Sequence, residues 1–182
     1  MFVRLLFIIF APIMKEVYVK DADLQKAAAE GMDEFLKVFY DAIMQSVNGE
    51  LTAETMAELN SDQVTLVAYQ MMHDELMDGG FVQLIHNGLG GFIFLNPFAY
   101  ALKQWGLTDL SKMIYKVKKL YWNSHEEIEK DCSDEEFMQM FERFPEYDDF
   151  DDEFVENEEE WTAMVAAYVD DHITDFAIVQ NE

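Results

Sequence analysis

Along most of this chain apolar residues return every three or four positions, the period of an α-helix with one buried face. From Asp21 the stripe runs Leu24, Ala28, Met32, Phe35, Leu36, Phe39, Ile43 and Val47, with Gln25, Asp33, Glu34, Lys37, Asp41 and Gln45 off it. Asn48-Gly49 closes that helix. Thr52 and Asn60 have the chemistry of N-caps, and Asn60 with Gln63 has capping-box spacing. The next helix turns Val64, Val67, Ala68, Met71 and Leu76 inward and ends at Gly79-Gly80. Asn96-Pro97 predicts a cap followed by Pro at the first helical position, with Phe98, Ala101, Leu102 and Trp105 on one face. Thr108 caps a helix with Leu110, Ile114, Val117 and Tyr121 inside and Lys112, Lys116 and Lys119 outside. Ser133 with Glu136 heads a helix through Phe137, Met140, Phe141 and Phe144 that Pro145 stops. Asn157 with Glu160 predicts a third capping box, opening a last helix through Trp161, Val165, Tyr168, Val169, His172, Ile173 and Phe176. No alternating run of convincing strand length occurs. The pattern predicts an all-α fold, a single compact domain of about seven or eight helices over residues 21–182.

The stretch from Asp78 to Gly91 holds five of the eight glycines. Gly79-Gly80 is expected to re-aim the chain, with Gly80 at φ > 0, because glycine lacks the Cβ that clashes there. Phe81, Leu84 and Ile85 then form a short apolar face, and Asn87-Gly88 and Gly90-Gly91 turn the chain again. A phosphate-cradling loop would need a strand before the glycines and a Lys after them; neither is present. The stretch is a structural elbow.

The 182 residues are 51% hydrophobic and carry a formal net charge of −25. That composition suits a packed core. The charge argues against direct nucleic-acid binding, which needs clustered Lys and Arg, and favours a basic partner or plain solubility. It is lopsided: residues 1–122 hold 15 Asp and Glu against 10 Lys and Arg, whereas residues 123–182 hold 22 against 2. The acidity belongs to the last third.

Residues 1–20 form a separate N-terminal segment. Its first fourteen, MFVRLLFIIFAPIM, read as an apolar arm, a targeting segment without an A-x-A-like cleavage site, or an upstream extension of a chain starting at Met14. The apolar run is too short to span a bilayer, and no membrane partner is expected. Cys132 is the single cysteine, so no intramolecular disulfide forms. Asp131, Asp134, Glu135 and Glu136 around it disfavour a thiolate nucleophile. Nothing requires an oxidising compartment, and the expected location is the cytoplasm.

Ten carboxylates fall within the fifteen residues 146–160: Glu146, Asp148, Asp149, Asp151, Asp152, Glu153, Glu156, Glu158, Glu159 and Glu160. Tyr147, Phe150, Phe154 and Trp161 punctuate the run at near-helical spacing and are expected to pin it to the core. As helix it would span about 22 Å, roughly one charge per 2.2 Å at ~1.5 Å rise per residue. Duplex DNA carries about one per 1.7 Å of axis. An ordered carboxylate array could therefore stand in for phosphates; a solvated acidic face is the bland alternative. The run lacks the loop Gly and terminal Glu of a calcium loop, and no H-E-x-x-H occurs. The His–carboxylate neighbours at 73–75, 125–127 and 170–172 diverge by about 100° on a helix and cannot chelate as adjacent pairs. A metal site assembled from separate helices stays open. His172, on the apolar stripe, reads as a hydrogen-bonded core histidine. No G-x-S-x-G occurs, and no catalytic residue or cofactor is identified.

The spacing G-G-F-x-Q-x-x-x-N-x-x-G, here Gly79, Gly80, Phe81, Gln83, Asn87 and Gly90, resembles the hallmark of a bacterial DNA-mimic protein family. The later Asp151-Asp152-Glu153-Phe154, followed by an acidic stretch and an amphipathic helix, resembles the same family, and the likeness covers roughly 59–173. The resemblance implies an all-helical, dimeric protein whose surface carboxylates imitate duplex phosphates. Such a protein would occupy the DNA-binding face of a basic regulator, with Gly79, Gly80, Phe81, Gln83, Asn87 and Gly90 structural. Two other classes remain. One is a helical metal-dependent enzyme using carboxylates from several helices; the other is an immunity-type inhibitor of a basic toxin. A buried cluster of three or more carboxylate or His side chains would favour the enzyme, and the same groups fanned over a convex face the binder.

Overall fold

A computed structural model describes residues 14–181. Residues 1–13, which carry most of the apolar arm expected from the sequence, lie outside the described residues. The chain enters as a three-residue strand, β1 (Tyr18–Lys20), followed by α1 (Asp21–Glu30), α2 (Met32–Ser46), α3 (Ala53–Met56), α4 (Ser61–His86), α5 (Gly90–Leu95) and α6 (Phe98–Gln104). Then come α7 (Thr108–Ile128), α8 (Asp134–Arg143), a 3-10 turn at Pro145–Tyr147, α9 (Asp148–Asp171), α10 (Ile173–Phe176) and β2 (Ile178–Gln180). The fold is all-α.

The expected helices are present, and several boundaries differ for local reasons. The long helix expected from Asp21 breaks at Gly31 (φ 153), and the break rephases the stripe. Leu24 and Ala27 are buried on α1, while Ala28 and Met32 stay exposed. Asn96 does not cap α6. Its side chain donates back to the Phe92 carbonyl (3.0 Å), closing α5, and Pro97 occupies the cap position of α6. Thr108 is the first residue of α7 and makes no capping bond. Asn157 is not a cap either: it sits inside α9 and donates to the Glu153 carbonyl (2.7 Å), one turn back. The two other boxes form as the spacing predicts, at Asn60–Gln63 and Ser133–Glu136. Thr52 forms a box of its own with Thr55.

α4 is the central element. α2, α5, α6, α7 and α9 all pack on it, and the shared core includes Phe39, Tyr69, Met72, Phe81, Phe94, Phe154 and Phe176. A fully buried Phe or Leu contributes roughly 1.5–3 kcal/mol. Among the described residues every buried side-chain N or O has a hydrogen-bond partner. The two strands, unforeseen in the periodicity, pair in parallel (Tyr18 with Ile178, Lys20 with Gln180) and bring the two ends of the described residues together. Val17 and Val19 point into the core there, so the folded body extends upstream of Asp21. Asn60 and Gln63 hold the returning end, donating to the carbonyls of Asp175 (2.6 Å) and Phe176 (2.9 Å). One pair of side chains therefore caps α4 and fastens the C-terminus to it.

At Gly80 (φ 76, ψ −171) α4 kinks without ending. The positive φ is the one expected from the glycine pair. A Cβ here would be strained and would also press on the Asp151 carboxylate. Across the kink, Gln83 donates to Glu75 (3.1 Å) and Asp78 (2.7 Å), and Asn87 donates to the same Glu75 carboxylate (2.9 Å). At Gly90 a Cβ would strike the Tyr121 ring, so the glycine lets α5 settle on α7. Gly80→Ala should lower unfolding stability by about 1–3 kcal/mol, the range for a strained backbone position. Urea denaturation followed by circular dichroism would measure it, and an unchanged midpoint would contradict this account of the kink.

Candidate functional site

α9 carries most of the acidic array, and its start is built by the core. Tyr147, fully buried, closes the 3-10 turn and bonds through its hydroxyl to Ser124 Oγ on α7 (2.7 Å). Asp148, Asp149 and Asp151 then occupy the first turn, where the positive end of the helix dipole favours carboxylates. Phe154, Trp161, Val165 and Val169 form the buried stripe, and Phe150 packs against its edge. The anchors expected for the acidic run are thus in place, and the run is ordered helix.

The ten carboxylates do not share one environment. Glu146, Asp148, Asp149, Asp152, Glu156, Glu159 and Glu160 are exposed, whereas Asp151, Glu153 and Glu158 are half-buried. Asp149, Asp152, Glu156 and Glu160 follow one another at three- and four-residue steps, a ridge along the solvent side of α9. Seven exposed charges over about 22 Å give roughly one per 3 Å at ~1.5 Å rise per residue. That is below the density of all ten and close to the ~3.4 Å per charge of a single strand of duplex DNA.

Asp151 turns inward and takes a structural part. Its Oδ1 accepts the Phe81 backbone N–H (2.8 Å), so it caps the helical turns that restart after Gly80. Burial pushes its carboxyl up to about 7; the Phe81 hydrogen bond opposes that shift, and the charges of Asp148 and Asp152 add to it. Glu158 accepts from Thr162 Oγ1 (2.8 Å) and meets His73 Nε2 (2.8 Å), tying α9 to α4.

The lysine face of α7 does not neutralise the array. Lys112 pairs with Asp109 one turn away (2.8 Å), and Lys116 and Lys119 are exposed. Arg143 pairs with Glu127, Lys37 with Asp41 and Lys26 with Glu30. Cys132 sits where the sequence puts it: partial desolvation and then Glu136, Asp131 and Asp134 raise its thiol, against thiolate chemistry. His172 is half-buried, with Nδ1 on the Tyr168 carbonyl (2.8 Å) and its ring stacked on Tyr168 (4.1 Å). Among the described residues no helix is long and apolar enough to cross a membrane. One group of possible metal ligands does assemble from separate helices, Asp33, His73 and Glu158. Asp33 is exposed and the other two half-buried, an open surface cluster and not the buried one that would mark an enzyme.

The kink residues Gly79 to Gly90 and the acidic helix docked on them through Asp151 form one structural unit. The sequence over residues 57–172, spanning that unit, matches the family described as DMP19-like protein. The chain belongs to the DMP19-like family. It is also 31% identical over 125 residues to a protein of Neisseria meningitidis serogroup B named DNA mimic protein DMP19, covering 68% of this chain and 76% of the relative. Gly79, Gly80, Phe81, Gln83 and Asn87 lie at the α4 kink, and Gly90 lets α5 settle on α7. The links from Tyr69 to Thr162 and from His73 to Glu158 were missed by sequence reasoning because they join positions 93 and 85 residues apart.

A carboxyl raised to about 7 binds a proton in the folded state that the unfolded chain, near 3.8, releases. The fold therefore binds more protons between those values, and this group's contribution falls as pH rises through them. Asp151→Asn keeps an acceptor for Phe81 N–H without the charge. The variant should gain stability relative to the parent as pH rises from about 5 to 8, by an amount on the order of 1 kcal/mol or more. Paired thermal melts across that range measure the gap, and a gap constant with pH would contradict the inward placement of a titrating carboxylate.

Proposed function

We propose that this chain is a non-enzymatic acidic binding protein that occupies the DNA-binding surface of a basic regulator by presenting carboxylates in place of phosphates. The observation that carries this reading is the row of exposed carboxylates on a helix pinned at both ends, with Glu146, Asp148, Asp149, Asp152, Glu156, Glu159 and Glu160 solvent-facing. A floppy acidic tail would supply the charge without the spacing. The name of the meningococcal relative supports the same reading. So does the net charge of −25, which steers basic partners toward the protein and repels nucleic acid. Glu153 belongs to the flank of the ridge, and Asp151 and Glu158, turned toward α4, are assigned to the fold. Such a regulator works on DNA, so the site of action is the cytoplasm. A homodimer would set two ridges at a fixed separation, as a duplex sets its two strands.

An inhibitor of a basic toxin would use the same face, and competition separates the two. Affinity capture at low salt, with elution by a salt step, should yield a basic DNA-binding protein whose operator DNA competes with this chain. Asp148→Asn, Asp149→Asn, Asp152→Asn and Glu156→Gln together remove four outward charges and spare Asp151. Affinity of that variant should fall about tenfold or more, with the fold intact by circular dichroism, because the contacts are exposed and screened by salt. A captured partner that holds DNA and this protein at once, or that binds the variant as tightly as the parent, would overturn the proposal.

A further inference from the structure

The group formed by Asp33, His73 and Glu158 has the construction of a metal site. Each residue comes from a different helix, α2, α4 and α9, and each pair of these helices is in contact. One ligand atom from each lies within 4.8 Å of the other two. A cation with bonds of about 2.0–2.1 Å holds atoms some 3.3 Å apart in a tetrahedron, and up to about 4.2 Å across an octahedron. Asp33 is exposed and can close the small remainder by side-chain rotation.

The two half-buried members are oriented from behind. The His73 ring is held between Tyr69 and Phe154, both at 6.1 Å between centroids. Its Nδ1 lies 3.3 Å from Asp74 Oδ1, which in turn accepts from Gln70 Nε2 (2.8 Å). That is the carboxylate–imidazole pairing by which metal-binding histidines are fixed in one tautomer. In the tautomer whose Nδ1 proton faces Asp74, Nε2 presents its lone pair to Glu158 Oε1 at 2.8 Å; in the other tautomer its N–H donates there, in the place a cation would take. Two acceptors that close need a positive centre, a proton or a metal ion. Glu158 is set by its own outer partners: Thr162 Oγ1 donates to Oε1 (2.8 Å), which leaves the buried Tyr69 hydroxyl to donate to Thr162 (2.8 Å). The charges of Glu158 and Asp33, after burial, both push the Tyr69 hydroxyl above its ordinary value, so two carboxylates converge on this point.

We propose that Asp33, His73 and Glu158 bind one divalent transition-metal cation of the zinc class. An imidazole with two carboxylates suits zinc better than magnesium or calcium, which prefer all-oxygen shells. Two carboxylates balance the ion's two charges, and the acidic surface concentrates cations around it. The ion joins α2 and α4 to the middle of α9 and does not depend on the DNA-mimic reading.

Zinc titrated calorimetrically into the chelator-stripped full chain, with excess magnesium present to occupy loose carboxylates, tests this. One site per chain is expected, together with a zinc-dependent rise in melting temperature. Asp33→Asn, at an exposed position, and His73→Gln should each weaken binding about tenfold or more. Asp148→Asn with Asp152→Asn, and separately Cys132→Ser, should leave it unchanged. Cobalt should shift one of the four histidine ring signals in proton spectra, which reads the site in the parent should His73→Gln fail to fold. Absence of zinc binding, several equivalent sites insensitive to Asp33→Asn, or loss of binding in Cys132→Ser would overturn the proposal.

Discussion

The hydrogen bond from the Phe81 amide to Asp151 is the contact on which the acidic helix depends. Gly80 turns α4 by taking a φ of 76, and the restarted helix begins with amides that have no carbonyl one turn earlier to receive them. Asp151 supplies an acceptor from seventy residues away. The kink and the first turn of α9 are therefore one device: without the glycine the carboxylate has no room, and without the carboxylate a buried amide is left unpaired. From that point α9 is committed to its path. Tyr147 locks its start to α7, Thr162 and Glu158 fasten its middle to α4, and Tyr168 stacks on Trp105 at 4.6 Å near its end.

That construction resolves a conflict in the charge distribution. Twenty net negative charges in the last sixty residues repel one another, and repulsion alone would extend or unfold such a segment. The helix stays because its other face buries Phe154, Trp161, Val165 and Val169, whose combined burial exceeds what screened surface repulsion can cost. The core, and not ion pairing, holds the carboxylates in register. Lys112 and Arg143 sit in pairs elsewhere, and Lys116 and Lys119 lie on the exposed face of α7.

Much of this was legible in the sequence, and the misses share a cause. The boxes at Asn60 and Ser133 and the turn at Gly80 depend on residues within a few positions of each other, so local spacing reveals them. Asn157 satisfies the same local spacing, yet the apolar positions Tyr147, Phe150, Phe154 and Trp161 continue the stripe across it. Burial of a long face outweighed a cap worth about 1 kcal/mol. Gly31 leaves no mark in the pattern because one glycine inside a periodic stripe is usually tolerated. Asp151 looks in sequence like any of its nine acidic neighbours; only the tertiary position of the Phe81 amide distinguishes it. The two strands are too short for periodicity to register, and their partners stand at opposite ends of the chain.

The separation of Asp151 from the exposed carboxylates bears on how a phosphate-like surface can be built at all. A helix covers about 3.6 residues per turn and must give a third or more of its circumference to the core, so even a densely acidic segment cannot present every charge outward. Here seven of ten remain in solvent. The resulting spacing of roughly 3 Å is that of one DNA strand, not of the duplex. A partner that grips both backbones would need a second row, and α8 offers its exposed first-turn carboxylates, Asp134, Glu135 and Glu136, with Glu142 exposed near its end. Of these, Glu136 is bound to its own cap at Ser133. On the mimic reading, one copy of this chain therefore matches a protein surface that reads a single backbone, and a surface that straddles the groove calls for a second α9.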